Sequence, residues 1–177
     1  QQVNAPESLY RWEWQTGRIL KKVGTIDDAI GAYRRAVRTL QSIRPELSVS
    51  YGAPLTSFRE TMGPAYFELV DLLLQRAASL KDRDQVGPYL IEAREAVELF
   101  KAAELRDYFR DDCVDTALSK VTKLDVLAQT ALVIYPIILP DRIELLISLP
   151  TGLKRSLVPV GAETLTQEVR QLRRRLE

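Results

Sequence analysis

Hydrophobic residues recur at helical spacing through most of the chain and follow a strand pattern only between residues 131 and 160. Residues 9–43 contain two amphipathic runs separated by a turn at residues 22–25, which predicts a helical hairpin. The chain is therefore expected to be mainly helical, with a short β part near its C-terminal end.

A third helix is expected over residues 58–80. It follows a loop at residues 51–55, and Ser57 with Glu60 would form a capping box at its start. Its apolar residues are at helical spacing, which predicts that they face the core: Phe58, Met62, Leu69, Leu72, Leu73 and Ala77.

Residues 81–87 are polar and predict a loop, and Pro88 would stand in the first turn of a fourth helix. The inner face of that helix is expected to contain Leu90, Ala93, Val97 and Phe100. The charged segment 104–117 predicts a connecting helix. Because one hairpin cannot bury its own apolar faces, the two hairpins are expected to stack.

Three strands are expected after residue 130, with turns at residues 140–141 and 150–152. The first, residues 131–139, is apolar on both faces, which is typical of a strand inside a larger, covered sheet. In the second strand, four apolar residues alternate with more polar neighbours: Ile143, Leu145, Ile147 and Leu149. Together the strands predict an antiparallel meander.

Residues 162–177 predict a terminal helix with apolar residues on one face and arginines around the rest. The apolar residues are Leu165, Val169, Leu172 and Leu176, and the arginines are Arg170, Arg173, Arg174 and Arg175. The expected fold class is mainly α with a C-terminal α+β part. We expect a helical region at residues 1–130 and the truncated opening of a second domain at residues 131–177, in a piece of a longer protein.

Small residues predict the contact within the first hairpin. Gly17, Ala29 and Ala36 would let two helix backbones approach closely, with Leu20 and Tyr33 filling the space around them. The Ala-x3-aromatic spacing of Ala29 and Tyr33, with Gly17 in the first helix, resembles a tetratricopeptide repeat. The repeat is degenerate, because Leu20 stands where an aromatic residue is usual and Glu13 where tryptophan is expected.

The chain contains one cysteine, Cys113, and no histidine. Without histidine, neither the usual zinc sets nor a Ser-His or Cys-His pair can form within this segment, so we expect no catalytic residues, metal or cofactor here. Three aspartates around Cys113 would disfavour its thiolate, so a small buried residue is the simpler interpretation.

Charge and hydropathy exclude further classes. The net charge is +1, and an acidic middle segment separates two basic ends, so no strong field for nucleic acid is expected. No apolar stretch is long enough to span a membrane. A soluble protein is expected, with its compartment open and the cytoplasm as first choice.

The runs AELRDYF and DDCV, VIYPIILPDRIELLISLP, and GLKRSLVPV resemble the segment that joins tetratricopeptide repeats to a CHAT domain, a caspase-like cysteine peptidase. The resemblance covers residues 104–177, and the preceding helices fit the family's repeats. It implies that the strands open a caspase-like α/β fold. It also implies that the catalytic histidine and cysteine lie beyond Glu177, and that Cys113 is a connector residue.

The sequence thus predicts a protein-interaction or regulatory arm of a CHAT-type peptidase that lacks the active site. Its partner would be a protein or peptide, or the downstream peptidase domain. The candidates for contact with it are Tyr10, Trp12, Trp14 and Arg18. Two alternatives stay open: the scaffold half of a complete peptidase with no separate partner, and a CHAT-like interaction protein that has lost its catalytic pair.

An apolar strand edge without a neighbour would recruit another strand, so we expect either a dimer through the first or second strand or an edge masked by the helix at residues 162–177 and the helical region. Lys154 and Arg155 make the third strand a less attractive edge.

Overall fold

The structure is a computed structural model, and it describes residues 6–50, 58–109 and 132–177, without the side chains of residues 44–50, 83 and 106–109. The chain divides into two compact units, Gln1–Lys120 and Val121–Glu177. The described helices of the first unit are α1 (Pro6–Val23), α2 (Ile26–Ser50), α3 (Phe58–Thr61), α4 (Gly63–Ser79) and α5 (Arg83–Phe109). The second unit contains β1 (Val133–Ile138), β2 (Ile143–Leu149), β3 (Gly152–Val158) and α6 (Ala162–Leu176). The predicted fold class is confirmed.

The predicted first hairpin is confirmed in the packing of α1 against α2. Gly24, with a φ of +92°, ends α1, and its N–H donates to the carbonyl of Leu20 at 3.1 Å. Ala29 and Ala36 are fully buried, and a Cβ on Gly17 would lie 2.7 Å from Cδ2 of Tyr33. The two helices therefore approach as closely at Gly17 as the sequence predicted.

The single helix predicted over residues 58–80 is wrong, because the structure has two helices with a turn at Met62. Pro64 explains the break. It has no N–H to donate to the carbonyl of Glu60, and its ring opposes a continuous helix, whereas it fits the first turn of α4.

The predicted loop at residues 81–87 is also mostly helix, since α5 begins at Arg83. The Asp82 carboxylate accepts the backbone N–H of Asp84 at 3.0 Å, and the Asp82 carbonyl accepts that of Val86 at 3.1 Å. This cap starts the helix early, so Pro88 stands inside α5 instead of in its first turn. The first part of the predicted connecting helix, residues 104–109, continues α5.

Several predictions concern residues outside the described part of the chain: the loop at residues 51–55, Ser57 of the capping box, the rest of the connector, and Cys113. The boundary predicted between residues 130 and 131 lies there too.

The two hairpins stack, as predicted, through a contact between α2 and α4, while α4 packs on α5. All but one of the core residues predicted for the later helices are buried, and Phe58 is half-buried. The Phe100 ring packs among them. Its centroid lies 5.9 Å from that of the Phe58 ring and 5.7 Å from that of the Tyr66 ring.

The three strands form an antiparallel meander in the order β1-β2-β3, which confirms that prediction. β2 is central, so the prediction that its edge is open to a second copy is wrong. β1 lies at an edge of the sheet. The Leu139 N–H donates to the Arg142 carbonyl at 2.8 Å. Hydrogen-bonded and non-hydrogen-bonded residue pairs alternate along β1 and β2 from there, so the nitrogen of Pro136 points away from β2, toward the outer edge of β1.

The two faces of the sheet differ in burial. Tyr135, Ile137 and Leu146 are buried on one face, whereas Ile134 and Ile138 on the other are 53% and 45% exposed. The expectation that both faces of the first strand are covered is not met. On β2 the polar neighbours Glu144 and Ser148 share the buried face.

Candidate functional site

The four residues predicted to contact a partner occupy different environments on α1. Tyr10 is buried in the core, and Trp14 is half-buried. Arg18 stands at the surface and is engaged by α4. Trp12 is 71% exposed. The structure therefore does not bring the four together on one surface, and only Trp12 presents its ring to solvent.

Trp14 and Arg18 meet at a carboxylate on α4. The indole Nε1 of Trp14 donates to Oε2 of Glu68 at 3.0 Å, and Nε of Arg18 donates to the same oxygen at 3.0 Å. The Tyr33 hydroxyl, from α2, donates to it at 2.6 Å. The Arg18 guanidinium also lies 4.4 Å from the centre of the Trp14 ring. One carboxylate thus joins three helices.

These contacts fix the ionisation of the cluster. Burial alone would raise the pKa of the Glu68 carboxyl, but the hydrogen bonds from Arg18, Tyr33 and Trp14 outweigh it and lower that pKa. Burial and the bond to Glu68 raise the pKa of the Tyr33 hydroxyl well above its usual range. Glu68 stays ionised with donors on both oxygens, so the cluster fastens helices and is poorly suited to proton transfer.

Sequence reasoning missed Glu68. Trp14 and Arg18 are four residues apart and so share a face of α1, and this spacing could have shown that they act together. The position of their acceptor, 50 residues later, depends on how the hairpins stack and has no local signal.

A second feature of α1 is an exposed apolar stripe. Four apolar residues follow one another at intervals of three, seven and four positions, so they share one side of the helix. Thr16 lies on the same side, in the interval of seven. The four apolar residues are Leu9, Trp12, Ile19 and Val23, and all are exposed. Leu9, Ile19 and Val23 were also missed, although their spacing is visible in the sequence.

Glu13, where a repeat would have tryptophan, is buried between α1 and α2. Its Oε2 accepts the hydroxyl of Thr39 at 2.8 Å, and Nε of Arg35 lies 3.7 Å from Oε1. A polar contact thus stands at this position between the two helices.

The sheet unit contains its own charged cluster. Glu144 on β2 is 0% exposed, and Nε of Arg155 donates to its Oε2 at 2.7 Å. Its Oε1 accepts Nε of Arg142 at 2.7 Å and Nη2 of Arg155 at 2.6 Å. Both carboxylate oxygens are occupied by guanidinium groups, so this group of three charged residues is structural and leaves no free carboxylate atom for chemistry.

Among the described residues, no group of three or more histidine, cysteine, aspartate or glutamate side chains is arranged to hold a metal ion. None of the described helices is long and apolar enough to cross a membrane. Comparison with protein families, with curated proteins and with solved structures finds no match to this chain.

Proposed function

We propose that the chain is a protein-interaction arm built of tetratricopeptide-like helical hairpins, belonging to a CHAT-type cysteine peptidase and lacking its catalytic site. The observation that carries the interaction role is the exposed stripe of Leu9, Trp12, Ile19 and Val23 on α1. Several large apolar side chains exposed along one side of a well-packed helix are typical of an interaction site.

The helical unit supports the repeat part of the proposal. Its contacts run from α1 to α2, from α2 to α4, and from α4 to α5, the order in which stacked hairpins meet. The Glu68 cluster adds a link between α1 and α4. Each hairpin is thereby held at a fixed angle to the next, and the outer face of α1 has a defined shape.

The occupant that fits the stripe is an amphipathic helix of a protein partner. Spacings of three and four residues present ridges that interlock with the same spacings on another helix. Lys22 and Gln15 lie beside the stripe, so acidic residues beside the partner's apolar face would be complementary. The downstream peptidase domain is one source of such a helix.

The experiment uses a displayed library of helical peptides, selected against the 177-residue chain. Selected peptides should be amphipathic with an acidic flank, and Ile19→Glu in the stripe should weaken their binding at least tenfold. Ala78→Glu adds the same charge at an exposed position of α4, away from the stripe and its flanks, and should leave binding within about threefold. Selection of no helical peptide, or equal loss in both variants, would contradict the interaction role.

The peptidase part of the proposal rests on the resemblance of residues 104–177. The chain contains no histidine, so incubation with a mixed peptide library should give no cleavage. Cleavage that is abolished by Cys113→Ala would contradict this. The coding sequence beyond Glu177 is expected to contain a histidine and a cysteine in caspase-like contexts, and their absence would remove the peptidase part while leaving the interaction role standing.

A further inference from the structure

The terminal helix α6 carries an apolar surface that its own unit does not cover. The structure describes α6 in full and none of its residues is buried, with Val169, Leu172 and Leu176 among its exposed side chains. The start of α6 is fixed, because the N–H of Ala162 donates to the Leu139 carbonyl at 3.1 Å. A Cβ on Gly161 would collide with the carbonyl oxygen of Pro140, so the close approach there requires glycine.

The apolar residues of α6 follow a heptad spacing of three, four, three and four residues: Ala162, Leu165, Val169, Leu172 and Leu176. A helix that packs on a sheet or a globular core usually has a broader apolar face, whereas this narrow seam is typical of helices that pair along their length. The seam therefore favours another helix as its occupant.

The charges of α6 are separated along its length. Glu163 and Glu168 stand in its first half, and Arg170 and Arg173 to Arg175 in its second half. A copy of α6 in the opposite direction would place each acidic half beside a basic half. A copy in the same direction would bring both arginine clusters together, which is unfavourable.

We propose that α6 pairs with α6 of a second copy of this chain, antiparallel and along the heptad seam. Glu168 and Arg175 lie on the same flank of the seam, seven residues apart. In an antiparallel pair the same flanks face each other, so Glu168 meets Arg175 of the second copy, and the two-fold symmetry gives this contact twice. The seam is only two heptads long, which makes the dimer weak and dependent on protein concentration.

This pairing differs from a dimer through the outer edge of β1. Pro136 presents a nitrogen without a hydrogen at that edge, so β1 lacks one of the donors that the carbonyls of an added strand would need. The pairing also does not depend on the stripe of α1.

Sedimentation equilibrium of the full 177-residue chain over a wide range of concentration tests whether the seam forms a dimer, because it measures the mass in solution. The wild type should approach the dimer mass as concentration rises. Leu172→Lys should stay monomeric, and Gln171→Lys, which adds the same charge off the seam, should dimerise like the wild type. Circular dichroism should show the same fold in all three, because Leu172 is 59% exposed and supports no core.

Charge reversal tests the direction. Glu168→Arg should weaken dimerisation at least fivefold, and adding Arg175→Glu should restore it. A wild-type chain that stays monomeric, a dimer that survives Leu172→Lys, or equal loss in Gln171→Lys would overturn the proposal. If Arg173→Glu, and not Arg175→Glu, restores the dimerisation of Glu168→Arg, the antiparallel arrangement is wrong. If Ile134→Lys abolishes the dimer and Leu172→Lys retains it, the interface lies in the sheet.

Discussion

The helical unit and the sheet unit differ in where most of their ion pairs lie. In the helical unit, ion pairs such as Arg34 with Glu92 and Arg59 with Glu104 join helices at the surface, and the interior is mostly apolar. In the sheet unit, Glu144 is buried and paired with two arginines, while isoleucines on the opposite face of β1 are exposed.

The difference shows where each unit is sensitive to mutation. Exposed ion pairs contribute about 0–1 kcal/mol each, so the helical unit depends on its apolar packing. Removal of one partner from a buried pair costs about 3–5 kcal/mol, because the remaining charge stays buried without a counter-ion. The sheet unit should therefore respond strongly to a change of charge on one face and weakly to a change on the other.

The largest expected effect compares two neighbours on β1. Ile137 is 1% exposed and Ile138 is 45% exposed. Ile137 stands opposite Glu144, whose two oxygens are already occupied by arginines, so Ile137→Lys buries an additional positive charge beside them and should destabilise the sheet unit by about 4 kcal/mol, whereas Ile138→Lys should change stability by less than about 0.5 kcal/mol. Hydrogen exchange of the β2 amides measures both, and equal effects would mean that the two faces of the sheet do not differ.

The next effect is that of Glu144→Gln, which removes the carboxylate that Arg155 contacts with two nitrogens and leaves Arg142 with the carboxylate of Asp141. We expect a loss of about 3 kcal/mol in the sheet unit, again measured by exchange of the β2 amides. Glu163→Gln, at an exposed position in α6, removes the same charge and should change little. If both variants lose the same stability, the buried network contributes nothing beyond net charge.

In the helical unit, two glycines separate packing from helix propensity. Gly17→Ala would place a Cβ 2.7 Å from the buried Tyr33 ring and should destabilise the unit by about 1–3 kcal/mol. Gly31 has its nearest neighbour, the end of the Arg35 side chain, at 3.8 Å. Gly31→Ala should therefore stabilise α2 by about 0.5–1 kcal/mol. Both tryptophans, Trp12 and Trp14, lie in α1, so the denaturant midpoint of tryptophan fluorescence reports this unit, and a stabilising Gly17→Ala would contradict the close contact.

Periodicity was sufficient to predict the helices, the meander and most core residues, because burial of apolar side chains selects the same spacing in sequence and structure. It failed where one residue acted on the backbone. Pro64 split a helix whose apolar spacing continued through it, and Asp82 started α5 in a stretch that looked like a loop.

The candidate site was less predictable because it depends on distant partners. The spacing on α1 contained the exposed stripe, but it could not show that Glu68 would engage Trp14 and Arg18. In β2, the sequence showed Glu144 only as a polar neighbour of the apolar residues and contained no local signal for its burial. Only Arg155, across the sheet on β3, and Arg142 make its burial tolerable.

The smallest effect tests the Glu68 cluster through its pH dependence. Because contacts in the folded chain lower the pKa of Glu68 below the value of about 4.3 typical of an unfolded chain, they stabilise the fold fully above that pH. The contribution is lost as the pH falls through the lower, folded-state pKa. Glu68→Gln should cost about 1–2 kcal/mol at neutral pH, and its difference from the wild type should shrink in acid.

Tryptophan fluorescence during urea unfolding at a series of pH values measures this difference. Glu60→Gln, at an exposed carboxylate of the same unit, should differ little from the wild type at any pH. A Glu68→Gln difference that stays constant as the pH falls below 4.3 would show that the hydrogen bonds to Glu68 do not depend on its charge. The cluster would then hold α1 to α4 without any contribution from the charge of Glu68. The paired carboxylates of the two units, Glu68 and Glu144, would differ in the role of their charge as well as in their burial.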